Sequence, residues 1–481
     1  MTPRVSLVIP VYDAGPYLRP CLDSIAAQDL PGDDLEVILV DDGSTDGSGE
    51  ALDAWADGRS GVQVVHQENS GWPGRPRNVG LAASRGRYVF FMDADDVLAP
   101  RSLRRLADFA DEHDSVVVVP RMAGLGGREV IQSVYARTAV DADRVLVFST
   151  LTAAKLFRRD FLEAQELRFP EGKVRLEDGM FLAQAYLTAR RVSVYADHDC
   201  YFLRRREDGA NISARLGKVG DYVESIATVM EIASRHARSG AEADAIVLDL
   251  YARKALRHFS PERFAHHSPR RRRAWLRSVR TLAKTHVPVE LERRLPLPLL
   301  LRSRFVRHGD VQALEALNSE EQAGREPVVR MRRGRLLVDL PHRRARLLDV
   351  TGEAVLEPVL THLRVRGDSV EVRGEARLRG LGTERLPLRL VVGEGPGAVE
   401  QALPTRRLQG GPWWRFEGRI ALGTWADADV PPALVVRMPL RGGPGLESPL
   451  ATLPASHPRP RGLDALRAAL PFWRRRLRRI R

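Results

Sequence analysis

Two clusters of carboxylates each follow an apolar, strand-like segment in the N-terminal part of the chain. Residues 41–46, with the sequence DDGSTD, come directly after LEVILV, and residues 93–96, with the sequence DADD, come after YVFFM. Carboxylates crowded at a strand end repel one another and lose hydration, and a divalent cation holds such a group together. The second cluster therefore predicts a site where one or two carboxylates bind Mg²⁺ or Mn²⁺, leaving positions for water and diphosphate oxygens. For Asp96, a helix cap is the alternative.

The first cluster predicts contacts to a nucleoside. Asp41 follows the LEVILV strand, where its carboxylate could accept hydrogen bonds from a nucleobase or a ribose lying over the strand ends. The turn Pro10-Val11-Tyr12 would lie beside it. Asp and Gly after a buried strand also form ordinary turns and helix caps, and this alternative stays open for the motif in isolation.

A third acidic group, Glu177-Asp178-Gly179, precedes MFLAQAYLTA and predicts the beginning of an amphipathic helix. One of its carboxylates near an anomeric carbon could deprotonate an acceptor hydroxyl as a general base. Attack from the face opposite a departing diphosphate would then invert the anomeric centre. Acidic residues are also common at helix N-termini because they interact favourably with the helix dipole, so a structural role is the alternative.

Two further polar segments accompany these clusters. In residues 69–78, NSGWPGRPRN, glycines and prolines predict a loop before a helix, and Asn69 and Arg77 are candidates for contact with a nucleotide. Residues 204–213 follow an apolar stretch and include Arg206 and Ser213. They predict a basic lid over a diphosphate, with an ordinary surface loop as the alternative.

The pattern of the first 120 residues positions these groups. Short aliphatic segments such as VSLVIPVY, LEVILV and YVFFM alternate with amphipathic segments. This alternation predicts an α/β domain with a mainly parallel sheet that is covered on both faces. Ligands of such sheets bind beyond the carboxyl ends of the strands, which is where the acidic clusters occur.

The periodicity changes twice after the predicted catalytic domain of residues 1–220. Residues 221–325 have helical periodicity and predict a linker subdomain. Residues 326–455 have the period of two that is typical of short strands, which predicts a β-sandwich of immunoglobulin-like shape. Residues 456–481 predict a basic amphipathic tail in contact with a membrane surface, with a solvated charged tail as the alternative.

Composition limits the partners. The 481 residues carry a formal net charge of +13, which indicates an anionic partner: a nucleotide, a phosphate polymer, a nucleic acid or an acidic membrane. No nucleic-acid recognition motif supports the third of these, and we expect no nucleic-acid partner.

The cysteines and the N-terminus predict the compartment. Cys21 and Cys200 have neither disulfide nor metal-ligand spacing, and we expect both in the core. No signal-peptide pattern opens the chain, and no apolar segment reaches the ~18 residues of a membrane span. We therefore expect a cytoplasmic location, with contact at the inner face of the membrane.

Taken together, the N-terminal half resembles the family 2 glycosyltransferases, whose fold is called GT-A. The resemblance rests on ordered blocks: VSLVIPVYDAGPYLRPCLDSIAAQ, LEVILVDDGSTDGS, NSGWPGRPRNVGLAASRGRYVFFMDADD, KLFRRDFL, RFPEGKVRLEDGMF and RRREDGANIS. Because several spaced blocks coincide in one order, the resemblance is more specific than any single motif.

The resemblance implies roles for particular residues. It implies that a donor nucleotide, typically a UDP-sugar, contacts Pro10, Tyr12, Asp41, Asn69, Arg77, Asp93 and Ala94. It implies that Asp93 and Asp95 bind Mn²⁺ or Mg²⁺ and that Asp178 is the catalytic base. Glu177, Arg206 and Ser213 are further candidates for contact with the acceptor or the diphosphate. Where the family often has a second Asp, this chain has Gly179, so the preference for Asp178 over Glu177 depends on register.

The order of a GT-A domain, a helical linker and a C-terminal β-sandwich further resembles the wall teichoic acid glycosyltransferases, which attach N-acetylglucosamine to poly(ribitol phosphate). This resemblance implies an inverting transfer of an N-acetylhexosamine from a UDP-sugar to a hydroxyl of a cell-envelope polymer. A polyanionic acceptor would account for the arginine excess. Some of those enzymes are trimers assembled through their C-terminal domains, so a homo-oligomer is also implied.

Two alternatives stay open. One is a transferase that builds capsule, exopolysaccharide or glycolipid on a membrane-anchored acceptor, which the basic tail favours. The other is a non-catalytic carbohydrate-binding scaffold whose β-domain grips a polymer through Trp413 and Trp414, although such tryptophans more often belong to a core. A scaffold has no need for crowded carboxylates, which favours an enzyme.

Overall fold

The computed structural model describes most of the chain. The described residues are 2–31, 33–209, 211, 217–332, 335–339, 348–351, 354, 356–366, 369–379, 381–383, 385–392, 398–409, 411–421, 433–439 and 446–452. The chain divides into two compact units, of which the first contains residues 1–295 and 306–309 and the second contains residues 296–305 and 310–481. The predicted tail, residues 456–481, lies outside the described residues, so its contact with a membrane stays a prediction.

The first unit is built on one eight-stranded mixed sheet. Its strands are β1 (Val5–Val11), β2 (Leu35–Asp41), β3 (Val62–His66), β4 (Tyr88–Phe91), β5 (Val97–Leu98), β6 (Val117–Leu125), β7 (Leu156–Arg158) and β8 (Val192–Arg204). Their order is β3-β2-β1-β4-β7-β6-β8-β5. The first four strands in this order are parallel, as the sequence predicts, whereas β7 runs antiparallel to β4 and β6.

Helices accompany the sheet through residue 188. They are α1 (Leu18–Ala26), α2 (Ser48–Ala56), α3 (Gly74–Ala83), α4 (Ser102–His113), α5 (Arg144–Val147), α6 (Arg159–Ala164) and α7 (Glu177–Thr188), with short 3₁₀ turns at Gly15–Tyr17 and Ser133–Tyr135. In α4, the buried residues Leu103, Leu106 and Ala110 recur at the spacing of one helix face. Nearly every residue of β1 and β2 is buried, which is typical of strands covered on both sides.

The predicted helical region is confirmed. Its helices are α8 (Val219–His236), α9 (Gly240–Leu250), α10 (Pro261–His266), α11 (Pro269–His286), α12 (Val289–Glu292), α13 (Leu297–His308) and α14 (Val311–Gln322). A π-helical turn at Tyr251–Ala255 and a 3₁₀ turn at Leu256–Phe259 follow α9. Within the first unit, α8 packs against both α7 and α11, so the helical region directly supports the helix that begins at Glu177.

Gly74, the first residue of α3, lies very close to the segment before α7. A β-carbon at this position would lie 2.1 Å from the carbonyl oxygen of Pro170. Gly240 begins α9 in the same way, yet nothing lies within 4 Å of a β-carbon there. We therefore expect Gly74→Ala to lower the free energy of unfolding by about 1–3 kcal/mol through overpacking, and Gly240→Ala to change it by less than about 0.5 kcal/mol. Equal midpoints of thermal unfolding for the two variants would contradict this expectation.

In the part that the structure describes, the second unit contains three four-stranded sheets. The strands are β9 (Val328–Arg332), β10 (Arg335–Asp339), β11 (Leu348–Asp349), β12 (Leu356–Arg366), β13 (Ser369–Leu378), β14 (Gly382–Thr383), β15 (Leu388–Val392), β16 (Val399–Leu403), β17 (Thr405–Arg407), β18 (Trp414–Ala421), β19 (Ala433–Met438) and β20 (Leu446–Thr452). The sheet orders are β11-β10-β9-β14, β12-β13-β18-β17 and β16-β15-β19-β20.

Two of these sheets pack together. The second and third are antiparallel throughout, and β18 of the one contacts β15 and β16 of the other. Burial alternates along β13 and β18, which indicates that one face of their sheet is covered. The predicted strand-rich C-terminal region is confirmed, and its immunoglobulin-like shape stays a prediction.

Two smaller expectations, both about the core, are also met. Both Cys21 and Cys200 are buried and unpaired. Trp414 is buried, in agreement with a core role. Within the described ranges, no helix combines the length and the apolar character that crossing a membrane requires.

Candidate active site

Three parallel strands end side by side beneath the candidate site. β1 lies between β2 and β4, and Val11 at the end of β1 pairs with Asp41 at the end of β2. Pro10 is partly exposed, and Tyr12, just beyond β1, is 49% exposed although it is a large aromatic residue. Its ring is therefore accessible to a ligand lying over the strand ends, where the sequence predicts the nucleoside.

Asp41 is held by two neighbours. Its Oδ1 accepts a hydrogen bond from the Ser44 N–H at 3.0 Å, and its Oδ2 lies 2.9 Å from His66 Nδ1. Burial alone would raise the pKa of Asp41, but these hydrogen bonds lower it below the usual value. His66 also contacts Asp53 at 3.0 Å, and the two carboxylates raise the pKa of the imidazole. Asp41 is thus kept ionised, so both of its oxygens are hydrogen-bond acceptors.

Asp42 fixes the loop that contains Asn69. Its carboxylate accepts hydrogen bonds from the Ser70 N–H at 3.0 Å, from Ser70 Oγ at 2.9 Å and from Gln67 Nε2. Asn69 Oδ1 in turn accepts from the Gly71 N–H at 2.6 Å. The loop is therefore attached to the end of β2, and Asn69 is brought to the same edge of the sheet as Asp41.

The DADD cluster follows β4 as predicted, but its members differ in environment. Asp96 is buried and accepts hydrogen bonds from Tyr201 Oη and from the Arg204 N–H, each at 2.7 Å. Burial, together with Asp93 and Asp95, raises the pKa of Asp96. The helix cap considered for Asp96 is not its role here, because its carboxylate ties the cluster to β8.

Asp93 and Asp95 face a more open environment. The side chain of Asp93 is 44% exposed. Asp95 Oδ2 accepts a hydrogen bond from Asn211 Nδ2 at 3.2 Å. Burial and the charge of Asp93 raise the pKa of Asp95 to about 6. Ala94 between them is buried.

This cluster fits a divalent cation held by few protein ligands. Burial and the neighbouring charge of Asp93 together raise the pKa of Asp95, and a bound cation would offset both effects. Among the residues that the structure describes, no group of three or more His, Cys, Asp or Glu side chains is arranged to hold a metal ion. A cation at Asp93 and Asp95 would therefore take further ligands from water and a diphosphate, which is how Mg²⁺ is commonly bound.

Arg77, on α3, joins this cluster to the third acidic group. Its Nη2 lies 2.8 Å from Asp93 Oδ1, and its Nη1 lies 2.6 Å from Asp178 Oδ1 and 3.4 Å from Glu177 Oε1. The guanidinium lies over the Phe169 ring, and its side chain is only 3% exposed. Burial would lower the pKa of Arg77, but the three carboxylates raise it, so the group stays charged.

Asp178 lies in the first turn of α7, which begins at Glu177 as predicted. The preceding residue, Leu176, has the left-handed backbone conformation with φ of 56°, and this turns the chain into the helix. Asp178 Oδ2 accepts a hydrogen bond from the Ala153 N–H at 3.2 Å. Burial raises the pKa of Asp178 to about 7; Arg77 opposes this rise, and Glu177 and Asp93 add to it. A carboxylate with this pKa can take up a proton near neutral pH.

The predicted lid segment follows β8. Arg206 forms an ion pair with Asp208 at 2.8 Å and lies 4.8 Å from the centre of the Tyr17 ring. Its backbone N–H donates to Asn211 Oδ1 at 2.9 Å, so Asn211 links this segment to Asp95. Ser213 lies outside the described residues. A contact of Arg206 with a diphosphate stays a prediction.

The structure thus assembles the predicted residues in two groups. Asp41 and Asn69 lie at the end of β2, and Arg77 brings Asp93 together with Asp178 and Glu177. Their roles in binding and catalysis stay predictions. Sequence reasoning missed His66 and Tyr201, because no local pattern indicates partners that lie 25 and 105 positions from the aspartates they contact.

Two parts of the chain match known families. Residues 6–175 match the model described as Glycosyl transferase family 2. Residues 219–318 match the model described as Glycosyl transferase TarS linker domain. The first match contains the strand ends, Arg77 and the DADD cluster, and the second covers most of the helices that follow β8.

Individual relatives agree with these matches. The chain is 33% identical over 330 residues to the poly(ribitol-phosphate) beta-glucosyltransferase of Bacillus spizizenii. This match covers 66% of this chain and 51% of that protein. It is 35% identical over 224 residues to the poly(ribitol-phosphate) beta-N-acetylglucosaminyltransferase TarS of Staphylococcus aureus. This second match covers 46% of this chain and 39% of that protein. The chain therefore spans about half, or less, of these curated relatives.

A solved structure is similar as well. The crystal structure of S. aureus TarS 1–349 in complex with UDP-GlcNAc superposes with a TM-score of 0.63 at 26% sequence identity. The match covers 72% of this chain and 98% of that one.

Proposed function

Since residues 6–175 form a family 2 glycosyltransferase domain, we propose that this chain transfers a sugar from a UDP-sugar to a hydroxyl of a polyanionic cell-envelope polymer, with inversion at the anomeric carbon. One observation carries the proposal. A single buried guanidinium, that of Arg77, holds Asp93 of the donor side at 2.8 Å and Asp178, a carboxylate suited to act as a base, at 2.6 Å.

The donor site consists of the strand ends. Tyr12 offers an exposed ring, and Asp41 offers a carboxylate that its neighbours keep ionised. Asn69 lies beside them in the loop that Asp42 fixes. The relative TarS was crystallised with UDP-GlcNAc, whereas the Bacillus relative is named a glucosyltransferase, so both UDP-GlcNAc and UDP-glucose are candidate donors.

The reaction follows from the two ends of this site. Asp178 takes the proton of the acceptor hydroxyl while the oxygen attacks the anomeric carbon, and the bond from that carbon to the diphosphate breaks on the opposite face. A divalent cation at Asp93 and Asp95 would offset the negative charge that develops on the departing UDP. Arg77 keeps Asp178 in place and remains paired with Asp93 after the proton has been transferred.

The acceptor is proposed from the relatives and from charge. Both curated relatives are named for activity on poly(ribitol phosphate), and a net charge of +13 suits a phosphodiester polymer. A cytoplasmic location, membrane contact and a homo-oligomer formed through the C-terminal region belong to the same proposal.

Donor hydrolysis and transfer test this proposal. Purified protein would be incubated with UDP-GlcNAc, UDP-glucose, GDP-mannose or a dTDP-sugar, with poly(ribitol phosphate), in Mn²⁺ or in EDTA. We expect one UDP-sugar to be consumed in Mn²⁺ and none in EDTA. If no donor is consumed and UDP does not bind in the presence of metal, the proposal is wrong, and a carbohydrate-binding scaffold takes its place.

The pH dependence of the reaction provides a separate prediction. The pKa of Asp178 is raised to about 7, and a general base acts only when it is deprotonated. We therefore expect kcat/KM to fall about tenfold per pH unit below pH 7 and to level off above it. UDP binding measured over the same range separates this effect from donor affinity. A constant kcat/KM between pH 5.5 and 7 would argue against Asp178 as the base.

A further inference from the structure

Lys155 is a buried cation close to the candidate base. It directly precedes β7, and its side chain has 0% exposure. The chain has 75 basic residues, and only five of them are lysines. Burying an ammonium costs roughly several kcal/mol of hydration free energy, which only interactions with protein groups can offset. The proposed function does not yet explain why a lysine is buried at this position.

The ammonium of Lys155 binds the turn that contacts Asp178. Its Nζ donates to the carbonyl oxygen of Thr152 at 3.0 Å and to Thr152 Oγ1 at 3.1 Å. The next residue, Ala153, donates its N–H to Asp178 Oδ2 at 3.2 Å. The Lys155 N–H returns to the Ala153 carbonyl at 2.7 Å. Lys155 thus fixes the turn of residues 152–154 through Thr152. The same turn donates a hydrogen bond to one oxygen of the Asp178 carboxylate.

Both partners of the ammonium are uncharged, so its countercharge must come from farther away. Burial lowers the pKa of Lys155 to about 7, and the charge of Asp178 opposes this effect by favouring the protonated form. The other groups that face Asp178 are the Arg77 guanidinium, the carboxylates of Glu177 and Asp93, and the Ala153 N–H. Arg77 therefore contacts Oδ1 of Asp178 directly, whereas Lys155 reaches Oδ2 only through the turn.

We propose that Lys155 is a positioning residue for Asp178, which it orients through the Thr152–Ala153 turn and whose ionised form it stabilises with its charge. The inference rests on the proposed function, because it takes Asp178 as the base. Its consequence is that loss of the ammonium displaces the carboxylate and makes it easier to protonate. Donor binding at the strand ends should be unaffected, since none of the described donor-site contacts involves this turn.

The test replaces Lys155 by methionine, which keeps the volume and removes the charge. We expect Lys155→Met to lower kcat about 10- to 100-fold through misplacement of the base. We expect the acidic limb of the kcat/KM profile to move up by roughly one pH unit, the direction caused by loss of a nearby positive charge. The affinity for UDP and the KM for the donor should stay unchanged. Lys155→Arg, which keeps the charge, should retain more of the wild-type pH profile.

Lys254 provides a matched control. Burial also lowers its pKa, to about 8, and it lies in the π-helical turn Tyr251–Ala255 of the same compact unit. Lys254→Met removes a partly buried ammonium and leaves the turn that contacts Asp178 intact, so its acidic limb should remain at the wild-type position. An equal shift in both variants would overturn the proposal, and so would a Lys155→Met enzyme that loses activity only in proportion to its folded fraction.

A double variant separates this inference from the proposed function. If Asp178 is the base, Lys155→Met should cause no further loss in an Asp178→Asn background. If Asp178→Asn alone keeps the wild-type rate, the proposed function is wrong. If Asp178→Asn is inactive while Lys155→Met has the wild-type rate and pH profile, only the inference about Lys155 is wrong.

Discussion

Replacing Asp178 with asparagine is expected to lower kcat for sugar transfer by about 10²–10⁴-fold, the range that a positioned general base contributes. The amide keeps an oxygen that can accept from Arg77 Nη1 or from the Ala153 N–H, which lie 2.6 and 3.2 Å from the present carboxylate oxygens. It cannot take up the proton of an acceptor hydroxyl. The loss should therefore appear in the chemical step, with the affinity for UDP nearly unchanged.

The measurement is transfer under saturating donor, together with calorimetric titration of UDP. Asp23→Asn is a suitable control, because Asp23 is 58% exposed and forms an ion pair with Arg19 one turn away on α1. That variant should keep the wild-type kcat. An Asp178→Asn enzyme within threefold of wild type would assign the base elsewhere, and Glu177, which lies 3.4 Å from Arg77, would be the next candidate.

The sequence predicted the strand ends of the site because their signals are local. An apolar run that ends in Asp41 or Asp93 indicates both the strand and the position of the carboxylate at its end. The acidic group of Glu177 and Asp178 also has a local signal, since α7 begins directly after Leu176. These features require only periodicity and turn chemistry, which neighbouring residues determine.

Contacts between distant segments were beyond the sequence. Arg77 was predicted as a nucleotide contact because of its flanking loop, yet its guanidinium is buried among carboxylates that lie 16, 100 and 101 positions away. Nothing in the sequence pattern around Lys155 indicates that this residue contacts the Thr152–Ala153 turn, which in turn contacts Asp178. Such pairings depend on how β7 and α7 pack in the folded domain, and no periodic pattern in a single sequence reveals them.

Replacing Arg77 with methionine is expected to destabilise the first unit by about 3 kcal/mol, the lower end of the range for breaking a buried ion pair. The change leaves Asp93, Glu177 and Asp178 without their shared cation. The side chain of Asp93 is 44% exposed and can be hydrated, whereas those of Glu177 and Asp178 are 11% and 20% exposed. Water screens the first charge, so most of the loss comes from the other two. The midpoint of thermal unfolding measures it.

Arg75 offers the matched control, because it lies on the same helix and is exposed. Arg75→Met should unfold at the wild-type temperature. A second measurement, thermal unfolding with added Mn²⁺, identifies the cause. If uncompensated carboxylates destabilise the Arg77→Met protein, Mn²⁺ should raise its unfolding midpoint more than that of the wild type. The reason is that the three carboxylates, once they lack the guanidinium, attract a divalent cation. Equal midpoints for the two methionine variants would mean that the guanidinium does not hold these carboxylates together. A loss of stability that Mn²⁺ leaves unchanged would trace the effect to lost packing against Phe169 instead.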